Sequence, residues 1–271
     1  SVRNCMSTFS RTGQQNAPYK IMIEKKIKLD DAYSLKTPKD SIKLYKKWAQ
    51  TYDEDFAFNS GYLSPKKISN FFIKHSKDTD TPILDVGAGT GLVGEFISLK
   101  SKKEIIGIDI SSEMLHQAKL KKCYSSLIEA DVTSKIPLKD NSLGAVVSAG
   151  TFTHGHVGPD AFDELLRIVR PGGLFVLSIN SKFFIKEGFK EKFSKIKNLI
   201  SSPIFEKFSA HNKNINKTYN EVKIIACIFR KKLYKCQVSY SLLPYLIKLL
   251  GTDTQYSHCK SRYTGNFFII V

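Results

Sequence analysis

Between Pro82 and Phe229 short apolar runs alternate with helical patterns, and this rhythm constrains the fold more than any other feature of the chain. The runs Pro82–Val86, Glu104–Asp109, Ser126–Asp131, Leu143–Ser148 and Leu174–Ile179 read as strands. Between them, Thr90–Leu99, Ser112–Lys121 and Pro159–Val169 read as helices. Alternation of this kind requires crossover connections, and hence a mostly parallel sheet covered by helices on both faces. Pro171-Gly172-Gly173 reads as a turn into the fifth strand. A helix is expected over Lys186–Ile200, then strands at Ile204–Ala210 and Val222–Phe229. The last of these is apolar on both faces, so it should lie inside the sheet.

Before this region the spacing of Ile42, Tyr45, Trp48, Ala49 and Tyr52 predicts an amphipathic helix from Asp40. A second helix is signalled by Ser64 as cap, Pro65 in the first turn and the stripe Ile68, Phe71 and Phe72. These observations divide the chain into a mobile extension over 1–40, a domain over 41–232 and an appendage over 233–271 with no strand–helix rhythm. Five cysteines, widely spaced and with no Cys-x-x-Cys pair, argue against a disulfide framework and a zinc site, and no metal is expected. No stretch approaches the length of a spanning helix, and residues 1–20 show no apolar signal region, so a cytoplasmic protein is expected.

The net charge is +17, which invites a nucleic-acid partner. Its distribution argues otherwise: residues 81–180 carry 10 basic and 11 acidic side chains, while 181–231 carry 12 against 4. Lys outnumbers Arg 36 to 6, whereas phosphate and base recognition lean on the guanidinium fork.

Chemistry is concentrated in three places. Ile83-Leu84-Asp85-Val86-Gly87-Ala88-Gly89-Thr90-Gly91 runs a buried strand into a glycine-rich turn that opens a helix, where the backbone bends tightly and a ligand approaches closely. The dinucleotide spacing Gly-x-Gly-x-x-Gly fails from Gly87, because the sixth position is Leu92. The second place is Asp109, which ends the next strand 20 residues after Gly89, where a carboxylate can accept both hydroxyls of a ribose. At the third, Asp131 ends the following strand and, with the next amide, can read an adenine edge. Simpler roles compete: Asp109 or Ser111 as a helix cap, Asp131 as a solvated loop carboxylate.

With these motifs the sequence resembles the class I S-adenosylmethionine-dependent methyltransferases over about residues 41–232. The resemblance implies a Rossmann-like seven-stranded sheet in the order 3-2-1-4-5-7-6, with the seventh strand antiparallel. It implies S-adenosylmethionine as cofactor, with S-adenosylhomocysteine as product. Asp85, Gly87, Ala88, Gly89, Gly91, Asp109, Ile110, Asp131, Val132, Ser148 and Tyr52 would bind it. Tyr52-Asp53-Glu54-Asp55 and the stretch Thr153–Asp160 resemble a small-molecule branch that includes the Williams–Beuren-region methyltransferase. Leu143-Gly144 departs from the family, many members of which have an aromatic followed by Asp. His154 and His156 are the candidate catalytic bases, each competing with a role in loop packing. Asn180 and Ser181 are candidate polar lining. Tyr45, Trp48, Tyr52 and Tyr62 would form an aromatic lid. A small-molecule acceptor is expected. An RNA acceptor is the alternative, although Ser148-Ala149-Gly150-Thr151 replaces the Asp/Asn-Pro-Pro-aromatic signature of amino-methylating enzymes. A cofactor-binding protein without transfer activity is the third reading.

Overall fold

The computed structural model describes residues 31, 35, 37–153, 156–212, 214–215 and 222–233. Almost all of the expected extension and appendage therefore lies outside the described residues. The described part opens with α1 (Pro38–Trp48), started by a capping box in which Thr37 Oγ1 accepts from the Asp40 amide and Asp40 Oδ2 accepts from the Thr37 amide. A π-helical segment, Asp53–Phe58, follows. It leads to α2 (Ser64–His75), where Ser64 is the first helical residue and Leu63, not Ser64, occupies the cap. Then come β1 (Ile83–Val86), α3 (Leu92–Ser98), β2 (Ile105–Asp109), α4 (Ser112–Leu120), β3 (Ser126–Glu129) and β4 (Leu143–Phe152). The chain continues through α5 (Ala161–Ile168), β5 (Val169–Asn180), α6 (Ser181–Lys186), α7 (Phe189–Lys195), β6 (Ile204–Ser209) and β7 (Lys223–Arg230).

The seven strands form one sheet in the order β3-β2-β1-β4-β5-β7-β6. All neighbouring pairs are parallel except β5–β7 and β6–β7, which are antiparallel. This is the sheet that the resemblance implied. Alternate residues feed two cores, as the two-residue period of a strand demands. Leu84, Val86, Val146, Phe175, Leu177, Cys227 and Phe229 share one core with Phe162 and Leu165 of α5 and Phe189 and Phe193 of α7. Ile83, Ala145, Val147, Val176, Ala226 and Ile228 share the other with Ile68 and Phe72 of α2 and Val93 and Ile97 of α3. A third, small cluster packs Trp48 and Phe56 with Tyr45, Tyr52 and Tyr62.

Several boundaries differ from expectation; β3 stops at Glu129, so Asp131 lies two residues past the strand instead of ending it. The helix foreseen over Lys186–Ile200 is confined to α7 (Phe189–Lys195), and the unforeseen α6 ends at Lys186, because Gly188 takes φ +76° between the two. Pro171–Gly173 lies within β5 instead of preceding it. Strand β4 runs to Phe152, with a register irregularity between Ser148 and Phe152 where Gly150 takes φ +86°. The interior position expected for the last strand is observed: Ile224 to Phe229 are all buried. Among the described residues no helix is long and apolar enough to cross a membrane.

Strand order reverses between β1 and β4, so a crevice opens beyond the carboxyl ends of these strands. Ligands of open α/β sheets bind in such a crevice.

Candidate functional site

A cavity occupies this crevice. Its floor is made of strand ends: Gly87 and Gly89 after β1, Asp109 and Ile110 at β2, Ala130 to Thr133 after β3, Ala149 to Phe152 on β4 with Thr153 just past it, and Ser178 and Asn180 on β5. Its roof is the N-terminal aromatic group, Tyr45, Trp48, Tyr52, Phe56 and Tyr62.

The glycine turn has positive φ at Gly87 (+65°), Gly89 (+56°) and Gly91 (+89°), which an L side chain rarely adopts. What surrounds each glycine differs. A Cβ at Gly87 would stand 2.0 Å from Thr151 Oγ1, and one at Gly91 would stand 3.1 Å from Ala118 and 2.9 Å from Tyr124. At Gly89 the nearest atom to such a Cβ is the Gly87 carbonyl oxygen, 4.0 Å away, so that residue leaves bare backbone facing open space. The Gly89 amide donates to Asp109 Oδ2 at 2.9 Å, and the Ser111 amide donates to Asp109 Oδ1 at 2.9 Å. One carboxylate thus pins the turn to the end of β2 and, with two lone pairs on each oxygen, retains acceptor capacity for a ligand. Burial raises the Asp109 carboxyl above the usual carboxylate range, while the amides of Ser111, Gly89 and Ile110 pull it back.

Of the residues expected to bind the cofactor, the cavity wall brings together Tyr52, Gly87, Gly89, Asp109, Ile110, Asp131 and Val132. Asp131 Oδ1 accepts from the amide and the hydroxyl of Thr133, at 2.8 and 2.7 Å, which fixes its orientation. Asp85, Ala88, Gly91 and Ser148 stand off the wall. The reasons are local. Asp85 is fully buried and accepts from the Tyr124 hydroxyl at 2.7 Å. The Ala88 amide is spent on the Ile108 carbonyl at 3.0 Å. Gly91 caps α3. The Ser148 hydroxyl donates to the Val86 carbonyl at 2.7 Å, joining β4 to the end of β1.

His156 lies on the wall, with its Nε2 3.3 Å from the Tyr45 hydroxyl oxygen. His154 lies outside the described residues. The aromatic residues named as a lid all reach the wall, in an edge-to-face and tilted network in which Trp48 and Tyr52 centroids are 5.1 Å apart and Tyr52 and Phe56 4.9 Å. Burial pushes the Tyr62 phenol up to about 12, so it stays neutral across ordinary pH. Asn180 lines the cavity while its Oδ1 caps α6, accepting from the amides of Lys182 and Phe183; Ser181 is not on the wall.

Met114, Phe56, Phe152, Ala210 and Ile224 also line the cavity and were not foreseen. Met114 falls on the buried stripe of α4, a signal the periodicity contains. Ala210 and Ile224 arrive through the pairing of β6 and β7, which no local pattern announces.

The aromatic roof is fastened by polar and charged contacts. The Thr90 hydroxyl of the glycine turn donates to Asp53 Oδ1, and Lys121 bridges Asp53 at 2.8 Å and Glu95 at 2.9 Å. Lys46 of α1 pairs with Glu113 of α4 at 3.0 Å.

Residues 84–177 match the family model described as a methyltransferase domain. This segment holds the glycine turn, Asp109 and Asp131 together. It is a class I S-adenosylmethionine-dependent methyltransferase domain. Human methyltransferase-like protein 27 is 29% identical over 140 residues, covering 51% of this chain and 56% of that protein. An uncharacterized methyltransferase-like protein of Schizosaccharomyces pombe is 34% identical over 105 residues, covering 39% and 40%. The chain therefore spans about half or less of the length of these curated relatives. Among solved structures, the [4+2]-cyclase SpnF shares the fold with TM-score 0.59 at 14% identity, covering 74% of this chain and 98% of that one. A TehB-like SAM-dependent methyltransferase from Corynebacterium glutamicum does so with TM-score 0.50 at 18% identity, covering 69% and 98%.

The cofactor of the methyltransferase domain is S-adenosylmethionine. The residues present fit it: the uncovered backbone at Gly89 and the acceptor capacity of Asp109 lie on one wall with Asp131, beside the apolar surfaces of Ile110, Met114 and Val132.

Proposed function

We propose that this protein transfers the methyl group of S-adenosylmethionine to a small-molecule acceptor. One observation carries the acceptor class: among the described residues, the cavity wall contains no Lys and no Arg. A phosphodiester chain entering the cavity would meet the carboxylates of Asp109 and Asp131 and a ring of aromatic side chains, with no lysine or arginine on the wall to neutralise its charge. The chain's surplus of lysine lies elsewhere.

When bound, S-adenosylmethionine supplies a methyl already activated on a sulfonium. What remains for the protein is binding, orientation and exclusion of water. In this reading the backbone of Gly87 and Gly89 receives the amino-acid end, Asp109 accepts the ribose hydroxyls, and Asp131 with the Val132 amide meets the adenine edge. Tyr45, Trp48, Tyr52, Phe56 and Tyr62 close over the acceptor and keep water out. His156 takes a proton from an acceptor hydroxyl or amine, with the Tyr45 hydroxyl holding its ring. The small-molecule branch suggested by the sequence agrees with this reading.

Calorimetry with S-adenosylhomocysteine, followed by a panel of small acceptors and RNA oligonucleotides with methyl-labelled cofactor, tests it. The expected result is cofactor binding and label transfer to a small molecule. Transfer to RNA would overturn the acceptor class. Binding without transfer across the panel would favour a cofactor-binding protein of another activity, a role consistent with the fold likeness to a cyclase.

A further inference from the structure

Tyr124 has no place in the scheme above, yet three glycines are arranged around it. A Cβ at Gly94 would stand 2.4 Å from its Cζ and hydroxyl oxygen, one at Gly91 2.9 Å from Cε2, and one at Gly107 3.1 Å from Cδ1 and Cε1. These glycines come from the start of α3, its interior and the middle of β2, so the ring is socketed where the glycine turn meets the sheet. Two hydrogen bonds end the socket. The Tyr124 hydroxyl donates to Asp85 Oδ2 at 2.7 Å and accepts from the Gly94 amide at 3.2 Å. Asp85 is fully buried, and its Oδ1 has no partner. Asp85 is two residues before Gly87, so its state bears directly on the turn.

From this geometry we infer that Tyr124 is a positioning residue for the cofactor, acting through Asp85 by holding that carboxylate ionised and in register beneath the glycine turn. The inference rests on the cofactor reading given above. Its physical content is that an acid in an apolar socket loses its charge unless donors face it. Burial raises the Asp85 carboxyl to about 7, the Tyr124 hydroxyl and the Gly94 amide act against that rise, and the charge of Asp109 adds to it. Cys123 is the further titratable neighbour, with its thiol pushed up to about 11 mainly by burial. The charges of Lys121 and Glu95 also act on it, in opposite directions. Without the phenol, Asp85 goes neutral at a higher pH. The turn then presents less negative potential to the ammonium of the cofactor's amino-acid end.

The experiment is calorimetric titration of the full chain with S-adenosylhomocysteine from pH 6 to 8.5, for the wild type and Tyr124→Phe. Wild-type affinity is expected to rise with pH about a midpoint near neutrality. In Tyr124→Phe the midpoint moves up by about one pH unit, which is a loss of about fivefold at pH 7 that closes to less than about twofold at pH 8.5. Recovery at alkaline pH is what a merely structural tyrosine would not give. An unchanged midpoint in Tyr124→Phe, or an Asp85→Asn variant that keeps the wild-type pH profile, overturns the inference. If Tyr124→Phe does not fold, Asp85→Asn decides alone, and a pH-independent affinity supports the inference. No binding by the wild type at any pH overturns the cofactor reading and this inference with it.

Discussion

The floor and the roof of the cavity are built on different principles. The floor is built on strand ends: the backbone of Gly87 and Gly89 and side chains such as Asp109, Asp131 and Asn180 sit where the sheet puts them, and Asp109 also ties one strand end to the next through Gly89. The roof is side chain throughout. Its aromatic rings hang from α1, the π-helical segment and the turns beside it, and it is attached to the body through Asp53, Lys121 and the Lys46–Glu113 pair. A ladder fixes geometry cooperatively, whereas a few partly exposed ion pairs fix it weakly. The floor should behave as a rigid template and the roof as a part that opens.

Breaking the floor has the largest expected effect. Asp109→Ala removes the proposed ribose partner and frees the Gly89 amide, and should weaken S-adenosylhomocysteine binding about 100-fold, ~3 kcal/mol, by calorimetry. Next comes Gly94→Ala. Its methyl would overlap Tyr124 at 2.4 Å, and overpacking of this kind costs ~2 kcal/mol, visible as a lower urea midpoint at unchanged slope. Asp85→Asn sharpens the comparison through its sign. Between about pH 4 and 7, an acid whose folded value of about 7 exceeds the unfolded one is mostly protonated in the native state while already ionised in the unfolded chain, so stability falls as pH rises through that window. The substitution should therefore raise the melting temperature of the ligand-free protein at pH 8 and leave it nearly unchanged at pH 4, even as it weakens cofactor binding.

The roof should respond more mildly. Asp53→Ala releases Thr90 and leaves Lys121 with Glu95 alone, detaching the roof there, and should weaken cofactor binding about fivefold, ~1 kcal/mol, chiefly as faster dissociation. Lys46→Ala breaks a pair in which the lysine is 68% exposed, and should change neither stability nor affinity by more than ~0.5 kcal/mol. Equal responses from Asp109→Ala and Asp53→Ala would break the comparison between template and lid.

The same contrast explains what the amino-acid sequence made legible. Asp85 to Gly91 and Asp109 lie in consecutive elements, and a strand–turn–helix unit brings their residue types together within about 25 positions, so pattern alone points to a nucleoside site. Ser148 is instructive in the opposite direction. It stands at the right strand end, but its hydroxyl is spent on the Val86 carbonyl 62 residues earlier, a contact no motif encodes. Tyr124 was invisible for the same reason: its socket is assembled from Gly91, Gly94 and Gly107, and its bond to Asp85 spans 39 positions. The aromatic spacing in the N-terminal region did predict four roof residues, but not the π-helical turn that brings Phe56 in beside them. Gly188 was a readable signal of the break between α6 and α7 that the surrounding helical spacing of phenylalanines overrode.

The placement of β7 between β5 and β6 has a consequence for biosynthesis. Among the described residues the last strand in the chain sits inside the sheet, Arg230 at its end grips Asp80 and the carbonyls of His75 and Gly172, and Ile224 on it lines the cavity wall. A chain still emerging from the ribosome holds the glycine turn, Asp109 and Asp131 long before it holds these contacts. Ligand capture would thus be deferred until translation has passed Arg230, and an interrupted product lacking that strand would be left with an unpaired interior edge on β5 for quality-control factors to find.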